Sequence, residues 1–234
     1  MGFVHYVQHV QSGQERGRGL NPGQARRVYD RIGRMQDWQS FYESPAVEQM
    51  VRHAELGRAR AVFEFGCGTG RLGAELLAQH LHPSATYTGV DISPVMVSLA
   101  QETLNTWEDR ATVQMSGEQP RIDAADRSFD RFLSLYVFDL LAQEYALAIV
   151  REAARVLEPG GLLCLVSLTW GDSVLSRGLS RLWEGLWSVN PKMVGGCRPV
   201  ELFSFVEPAQ WRTRHRSYIS AWGLTSQTAV LERR

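Results

Sequence analysis

The spacing of apolar residues divides the chain into a helical start, a β/α alternation and a mixed tail. From Ala25 to about Glu55 apolar residues return at helical intervals: Val28, Ile32 and Met35, then Phe41, Val47, Met50 and Val51. Pro45 is expected to open the second of two short helices, because proline is tolerated at a first helical turn. The period then changes. Ala61–Phe65 (AVFEF) is a short apolar run, read as a buried strand, and a glycine-rich turn leads into a helix over about Arg71–His80. Further strands are expected at Thr86–Val90, Ala111–Met115, Phe129–Leu135 and Leu162–Leu168. Ser93 and Pro94 suit the cap and first position of a helix whose apolar face is Val95, Met96, Leu99 and Ala100. A further helix, about Gln143–Leu157, carries Tyr145, Ile149, Ala153 and Val156 and stops at Glu158-Pro159-Gly160-Gly161. Strands alternating with helices in this way predict an α/β fold, a parallel sheet covered on both faces.

The tail breaks the alternation. Asp172–Asn190 reads as an amphipathic helix with a stripe of Leu175, Leu179, Leu182 and Leu186 and with Trp183 and Trp187 beside it. A short helix is expected from Pro199, then two strands, Arg214–Ser220 and Ser226–Glu232, as an antiparallel edge pair. We therefore expect a flexible lead-in over 1–24 and one domain over 25–234, with N-terminal helices at 25–58 and a helical insertion at 171–198.

Composition narrows the functions. The chain has 234 residues, 25 basic and 25 acidic, so no net field draws it to nucleic acid or an anionic membrane. No apolar stretch approaches the roughly 18 residues of a membrane span, and the start lacks the pattern of a secretory signal. Cys67, Cys164 and Cys197 are odd in number and far apart. They make neither a disulfide framework nor a metal site, and reduced thiols fit a cytoplasmic protein.

The chemistry concentrates at Glu64-Phe65-Gly66-Cys67-Gly68-Thr69-Gly70-Arg71, between the first strand and its helix. Glycines here let the backbone turn sharply and let a ligand lie against bare main chain. The spacing is G-x-G-x-G. Arg71 stands where a dinucleotide fingerprint needs its third glycine, which opposes an NAD(P)-dependent oxidoreductase. Asp91 ends the second strand. An acid there can accept from both hydroxyls of a ribose, and Ser93 fills the alternative role of helix cap better.

Four blocks, VFEFGCGTGRLG, YTGVDISPVMVSLA, GEQ…SFDRFLSL and VLEPGGLL, follow in order from Ala61 to Leu168. Together they resemble the class I S-adenosylmethionine-dependent methyltransferases that act on small molecules. The resemblance implies a Rossmann-like, doubly wound, mostly parallel seven-stranded sheet with an antiparallel C-terminal strand and N-terminal helices over the cofactor cleft. It implies S-adenosylmethionine as cofactor. Gly66, Cys67, Gly68, Thr69 and Gly70 would pass under its methionine part, with Glu64 near the amino group. Asp91 would hold the ribose and Ile92 the adenine face, while Met96 reads equally as cofactor wall or as core. Glu118 and Gln119 stand where many relatives have Asp-Ala at the adenine edge. Ser134, Leu135 and Tyr136 would line the methyl-donor side, and Tyr29 and Tyr42 match tyrosines that close over the site.

Methyl transfer from a sulfonium is an in-line displacement, so the protein's main task is alignment. Candidates for handling the acceptor are Tyr136, to orient it, and Asp139, as general base or helix-entry cap. The tail helix with Trp170, Trp183 and Trp187 reads as the roof of a pocket for a bulky apolar or aromatic acceptor, as core, or as a membrane-interface contact. No motif of nucleic-acid methylation is present, so a small molecule is the expected partner. A non-catalytic cofactor-binding protein with the same fold is the alternative function.

Overall fold

The computed structural model describes residue 23, residues 40–170, 197–221 and 224–234, with backbone alone for 40–44. Most of the lead-in, the first expected N-terminal helix with Tyr29, the tail helix with Trp183 and Trp187, and the Trp222-Gly223 turn lie outside the described residues, as does the side chain of Tyr42.

The described chain runs α1 (Ser40–His53), β1 (Ala61–Phe65), α2 (Arg71–Glu75, continued by a π turn over Leu76–His80), β2 (Thr86–Asp91), α3 (Pro94–Leu104) and β3 (Ala111–Met115). Then follow β4 (Phe129–Leu135), α4 (Gln143–Val156), β5 (Leu157–Thr169), β6 (Trp211–Ala221) and β7 (Leu224–Arg233). The seven strands form one sheet of order β3-β2-β1-β4-β5-β7-β6. β1 to β5 pair in parallel, and β7 runs antiparallel between β5 and β6. The expected terminal strand pair is present at the edge of the sheet, with β6 outermost.

Alternation along the strands sends successive side chains to opposite faces. Val62, Leu133, Cys164, Val166 and Val230 pack under α1, α2 and α3 with Met50, Leu76, Val97 and Ala100. Phe63, Phe132, Leu163, Leu165 and Leu231 pack under α4 with Ala146, Ile149 and Ala153. This is the doubly wound arrangement. The strand order reverses between β1 and β4, and the crevice outside their C-terminal ends is where such sheets bind ligands.

Several local expectations shift. Pro45 lies inside α1 instead of opening it. Its missing N–H costs one helical bond, but Ala46, Met50 and Ala54 form a continuous buried row that keeps the helix intact across it. α1 is also tied to β6 by stacked rings of His53 and His215, 3.6 Å apart, and by Arg214–Glu55. The buried face of α3 is Met96, Val97, Ala100 and Leu104, with Val95 exposed. Ser93 caps α3 as expected, its hydroxyl accepting from the Met96 N–H. β5 begins early: Leu157 already pairs with Phe129, Glu158–Gly161 loop out, and pairing resumes at Leu162 with Arg131. After Pro199 a single 3-10 turn, Leu202–Phe205, replaces the expected helix. Its Leu202 N–H is taken by Gln227 Oε1 at 2.7 Å.

Candidate active site

The loop after β1 is built by left-handed backbone. Gly66, Gly68 and Gly70 have φ of 78°, 54° and 78°, a region that suits glycine. The N–H groups of Gly66 and Cys67 both donate to Val90 O, at 2.8 and 3.0 Å, pinning the loop to the end of β2. A Cβ on Gly66 would stand 2.4 Å from Val137 Cγ2, so this glycine also lets the end of β4 close against the loop.

The loop floors a cavity of about 460 Å3 that opens between α1 and α2. Glu64, Gly66, Cys67, Gly68 and Thr69 line its base, Leu135 and Tyr136 its β4 side, and Val47, Glu48, Val51 and Arg52 its α1 side. The helix expected to overhang the cleft therefore does contribute a wall. Arg71, Glu75, Gln79 and His80 continue the cavity along α2.

Two carboxylates mark this end of the sheet. Asp91 accepts from the Gly68 N–H at 3.0 Å and from the Ser93 N–H at 2.9 Å, joining the loop to the start of α3. Glu64 is buried, and the Tyr87 hydroxyl donates to its Oε2 at 2.5 Å. Burial, seconded by the nearby charge of Asp91, pushes Glu64 up to about 8 against the bond from Tyr87. Burial and both acids hold the Cys67 thiol well above its usual range, so it has no thiolate character.

The β4 end is different. Tyr136 has a left-handed backbone, φ 54°, rare for a residue with a side chain. Its N–H donates to Val166 O, and its phenol shares a 2.9 Å hydrogen bond with Ser226 Oγ of β7. Such strain in a cavity wall is held by surrounding structure and is common where a site needs one side-chain direction. Ser134 is fully buried and donates to Phe65 O at 2.9 Å. It braces β4 on β1, and its hydroxyl does not line the cavity. Asp139 is fully buried and does not line the cavity either. Its Oδ2 accepts from the Leu168 N–H at 3.4 Å, and the Arg198 N–H donates to its carbonyl. Burial pushes it up to about 7, against Leu168 N–H and the charge of Arg198. It does not cap α4, whose cap position is Ala142.

Of the other sequence-predicted residues, Ile92 is half-buried beside Asp91, and Met96 is fully buried in the core. Glu118 and Gln119 are exposed after β3, and Trp170 is exposed at the end of β5. Tyr87, Val137 and Ser226 were not anticipated. For Tyr87 a signal existed: it alternates with Gly89 and Asp91, which places all three on the face that carries Glu64.

The fold and site define a class: a doubly wound sheet with a glycine-floored cleft at its switch point and an acid ending β2. Residues 63–163 match the family model of the methyltransferase domain. The chain is 27% identical over 169 residues to a ubiquinone/menaquinone biosynthesis C-methyltransferase of Syntrophotalea carbinolica, covering 70% of this chain and 69% of that protein. It is 31% identical over 116 residues to a hybrid PKS-NRPS synthetase of a Pyrenochaetopsis species, covering 48% of this chain but 3% of the synthetase. The crystal structure of the [4+2]-cyclase SpnF superposes with a TM-score of 0.72 at 13% identity, covering 92% of this chain and 97% of the cyclase. Residues 63–163 are thus similar to a methyltransferase domain, and the fold is that of Rossmann-like methyltransferases.

The residues fit that family's cofactor. The glycine loop leaves bare main chain facing a cavity whose base Glu64 lines, while Asp91, at the end of β2, lies outside that lining and is bonded to the loop through the Gly68 N–H. Glu64, Gly66–Gly70 and Asp91 are the residues that would hold it, with Ile92 beside Asp91.

Proposed function

We propose that the protein transfers the methyl group of S-adenosylmethionine to a small apolar or aromatic acceptor by in-line displacement. The observation that carries this reading is the cavity itself. It is floored by the glycine loop, and Val47, Val51, Leu135 and Tyr136 line it together with the charged Glu48 and Arg52. When bound, S-adenosylmethionine supplies an electrophilic methyl group on a sulfonium sulfur.

The chain's own contribution is alignment and enclosure. Holding two reactants in line is worth roughly 7–11 kcal/mol of barrier. The Tyr136 ring can add about 0.5–2 kcal/mol toward a cationic centre. Its phenol is the hydrogen-bonding group best placed to orient an acceptor, because Asp139 is buried away from the cavity. We read 25–234 as one catalytic domain, with 171–198, including Trp183 and Trp187, as its lid and Trp170 at the lid's root. Three buried cysteines far apart in the sequence agree with a reducing, cytoplasmic setting. No helix among the described residues is long and apolar enough to cross a membrane.

The reaction is tested with S-adenosylmethionine labelled in the methyl group and a panel of phenols, quinols and prenyl alcohols. Label moving into the organic phase with matching S-adenosylhomocysteine supports the reading. Tight S-adenosylhomocysteine binding with no label transferred to any acceptor would instead favour a non-catalytic cofactor-binding protein.

A further inference from the structure

The buried Glu64 is the least expected group in the cavity. A carboxyl removed from water needs hydrogen bonds or a cation. Glu64 has one donor, the Tyr87 phenol at 2.5 Å, and no ion pair among the described residues. The groups facing it on its own side are acids: Tyr87 and Asp91 of β2 and Cys67 of the loop. The bases that line the cavity, Arg52 of α1 with Arg71 and His80 of α2, make no salt bridge to it. Arg52 is paired with Glu48 and His80 with Glu75.

The contact to Tyr87 is a built one. A Cβ on Gly73 would stand 2.6 Å from Tyr87 Cζ, and one on Gly89 would stand 3.0 Å from the Tyr87 hydroxyl and from Cys67 Sγ. Two glycines, on α2 and β2, therefore open the space in which the Tyr87 ring lies. Gly89 is also the residue of β2 paired directly with Glu64.

We propose that Tyr87 is a positioning residue that aims the buried Glu64 carboxyl into the cavity, and that cofactor binding is thereby coupled to a proton. In the unliganded protein Glu64 holds its proton. When the cationic amino group of the cofactor docks, the Glu64 O–H bond breaks, the proton leaves to solvent, and a carboxylate–ammonium pair remains. Net charge is conserved: one cation enters the cavity and one proton departs. The inference rests on the cofactor reading above. The elevated Glu64 value of about 8 agrees with it. Proton release is therefore expected below about pH 8 and should fade above it, where Glu64 is already ionised.

The test is calorimetric titration of the whole chain with S-adenosylhomocysteine, in phosphate and in Tris, from pH 6 to 9. The wild type is expected to release close to one proton per ligand at pH 7, and affinity should weaken about tenfold per pH unit below that. Glu64→Gln should bind without releasing a proton. Tyr87→Phe removes the donor that favours the carboxylate, so the midpoint of proton release should move to higher pH; a merely structural Tyr87 would lower the melting temperature and leave that midpoint in place. Infrared difference spectra give a second readout: adding ligand to wild type should remove one protonated-carboxyl contribution, and the ligand-induced difference should be absent in Glu64→Gln, where Asp139 remains unchanged. Ligand binding with no proton released at pH 7, or the same release from Glu64→Gln, overturns the proposal alone. No binding of S-adenosylhomocysteine at all overturns the cofactor reading with it.

Discussion

The two sides of the cleft are built on opposite principles. At the ends of β1 and β2 the groups are acids set against bare backbone: Glu64 and Asp91, with Gly66, Gly68, Gly70 and Gly89 leaving room around them. At the ends of β4, β5 and β7 the groups are hydroxyls and one sequestered acid: Tyr136 on Ser226, Ser134 on Phe65, and Asp139 behind the cavity. The first side offers charge and main chain to a ligand, which suits recognition of one fixed cofactor. The second offers apolar wall and a single phenol, and its polar atoms are mostly spent on bracing the strands. A methyl-transferring site needs this asymmetry, because the cofactor is constant while the acceptor differs from one relative to the next.

The comparison can be broken most severely at Gly66. Gly66→Ala combines a left-handed φ with a Cβ 2.4 Å from Val137, and is expected to lower stability by about 2–5 kcal/mol in denaturant unfolding. Adding Val137→Ala should recover the clash and leave the backbone strain of about 1–3 kcal/mol. If the second change recovers nothing, the contact between the two sides is not the source of the loss.

On the β4 side, Asp139 provides a pH-dependent test. Its folded value of about 7 lies above the ordinary unfolded value, so the native state holds the extra proton between the two. Its contribution is full below the unfolded value and is lost as pH rises through about 7. From pH 5 to pH 7 wild-type stability should fall by about 2 kcal/mol more than that of Asp139→Asn. Equal slopes in urea unfolding at the two pH values would show that Asp139 is not held neutral by burial.

Asp91→Ala removes two hydrogen bonds from main-chain N–H groups to a carboxylate, together with the expected cofactor contact. We expect S-adenosylhomocysteine affinity to fall by about 2–3 kcal/mol, some 30- to 150-fold, read by calorimetry. The smallest effect belongs to the hydroxyl side. Tyr136→Phe and Ser226→Ala should each cost about 1 kcal/mol of stability and little cofactor affinity. As the two share one hydrogen bond, the double variant should cost about as much as either alone. Additive losses would mean that the bond contributes nothing.

The β/α core was legible because strand and helix periods differ sharply there: β1, β3 and β4 have the boundaries that alternation and apolar runs suggest. Ser93-Pro94 marked the start of α3 because cap and proline act within one turn. Pro45 misled, since its local preference was outweighed by the buried row it interrupts. The 157–169 strand was partly hidden because Pro159 and Gly160 signal a break, whereas the sheet tolerates a looped-out segment and resumes pairing. At the site, Glu64 and the glycine loop, which line the cavity, could be picked out because they are contiguous with a strand end. Ser226 could not: it reaches Tyr136 from 90 residues away, through a strand order that local pattern does not specify. Met96 and Ser134 stand at the expected places, but their side chains face the core and the neighbouring backbone.

The central claim is that the glycine-floored cleft binds S-adenosylmethionine and its product. The most direct measurement is the melting temperature with S-adenosylhomocysteine or NAD at about 100 times the dissociation constant of a typical ligand. Such saturation adds about 2.7 kcal/mol, a rise of roughly 5–10 °C for a chain of this size. The account predicts that rise with S-adenosylhomocysteine, its loss in Asp91→Ala, and no change with NAD. A rise with NAD alone would contradict it.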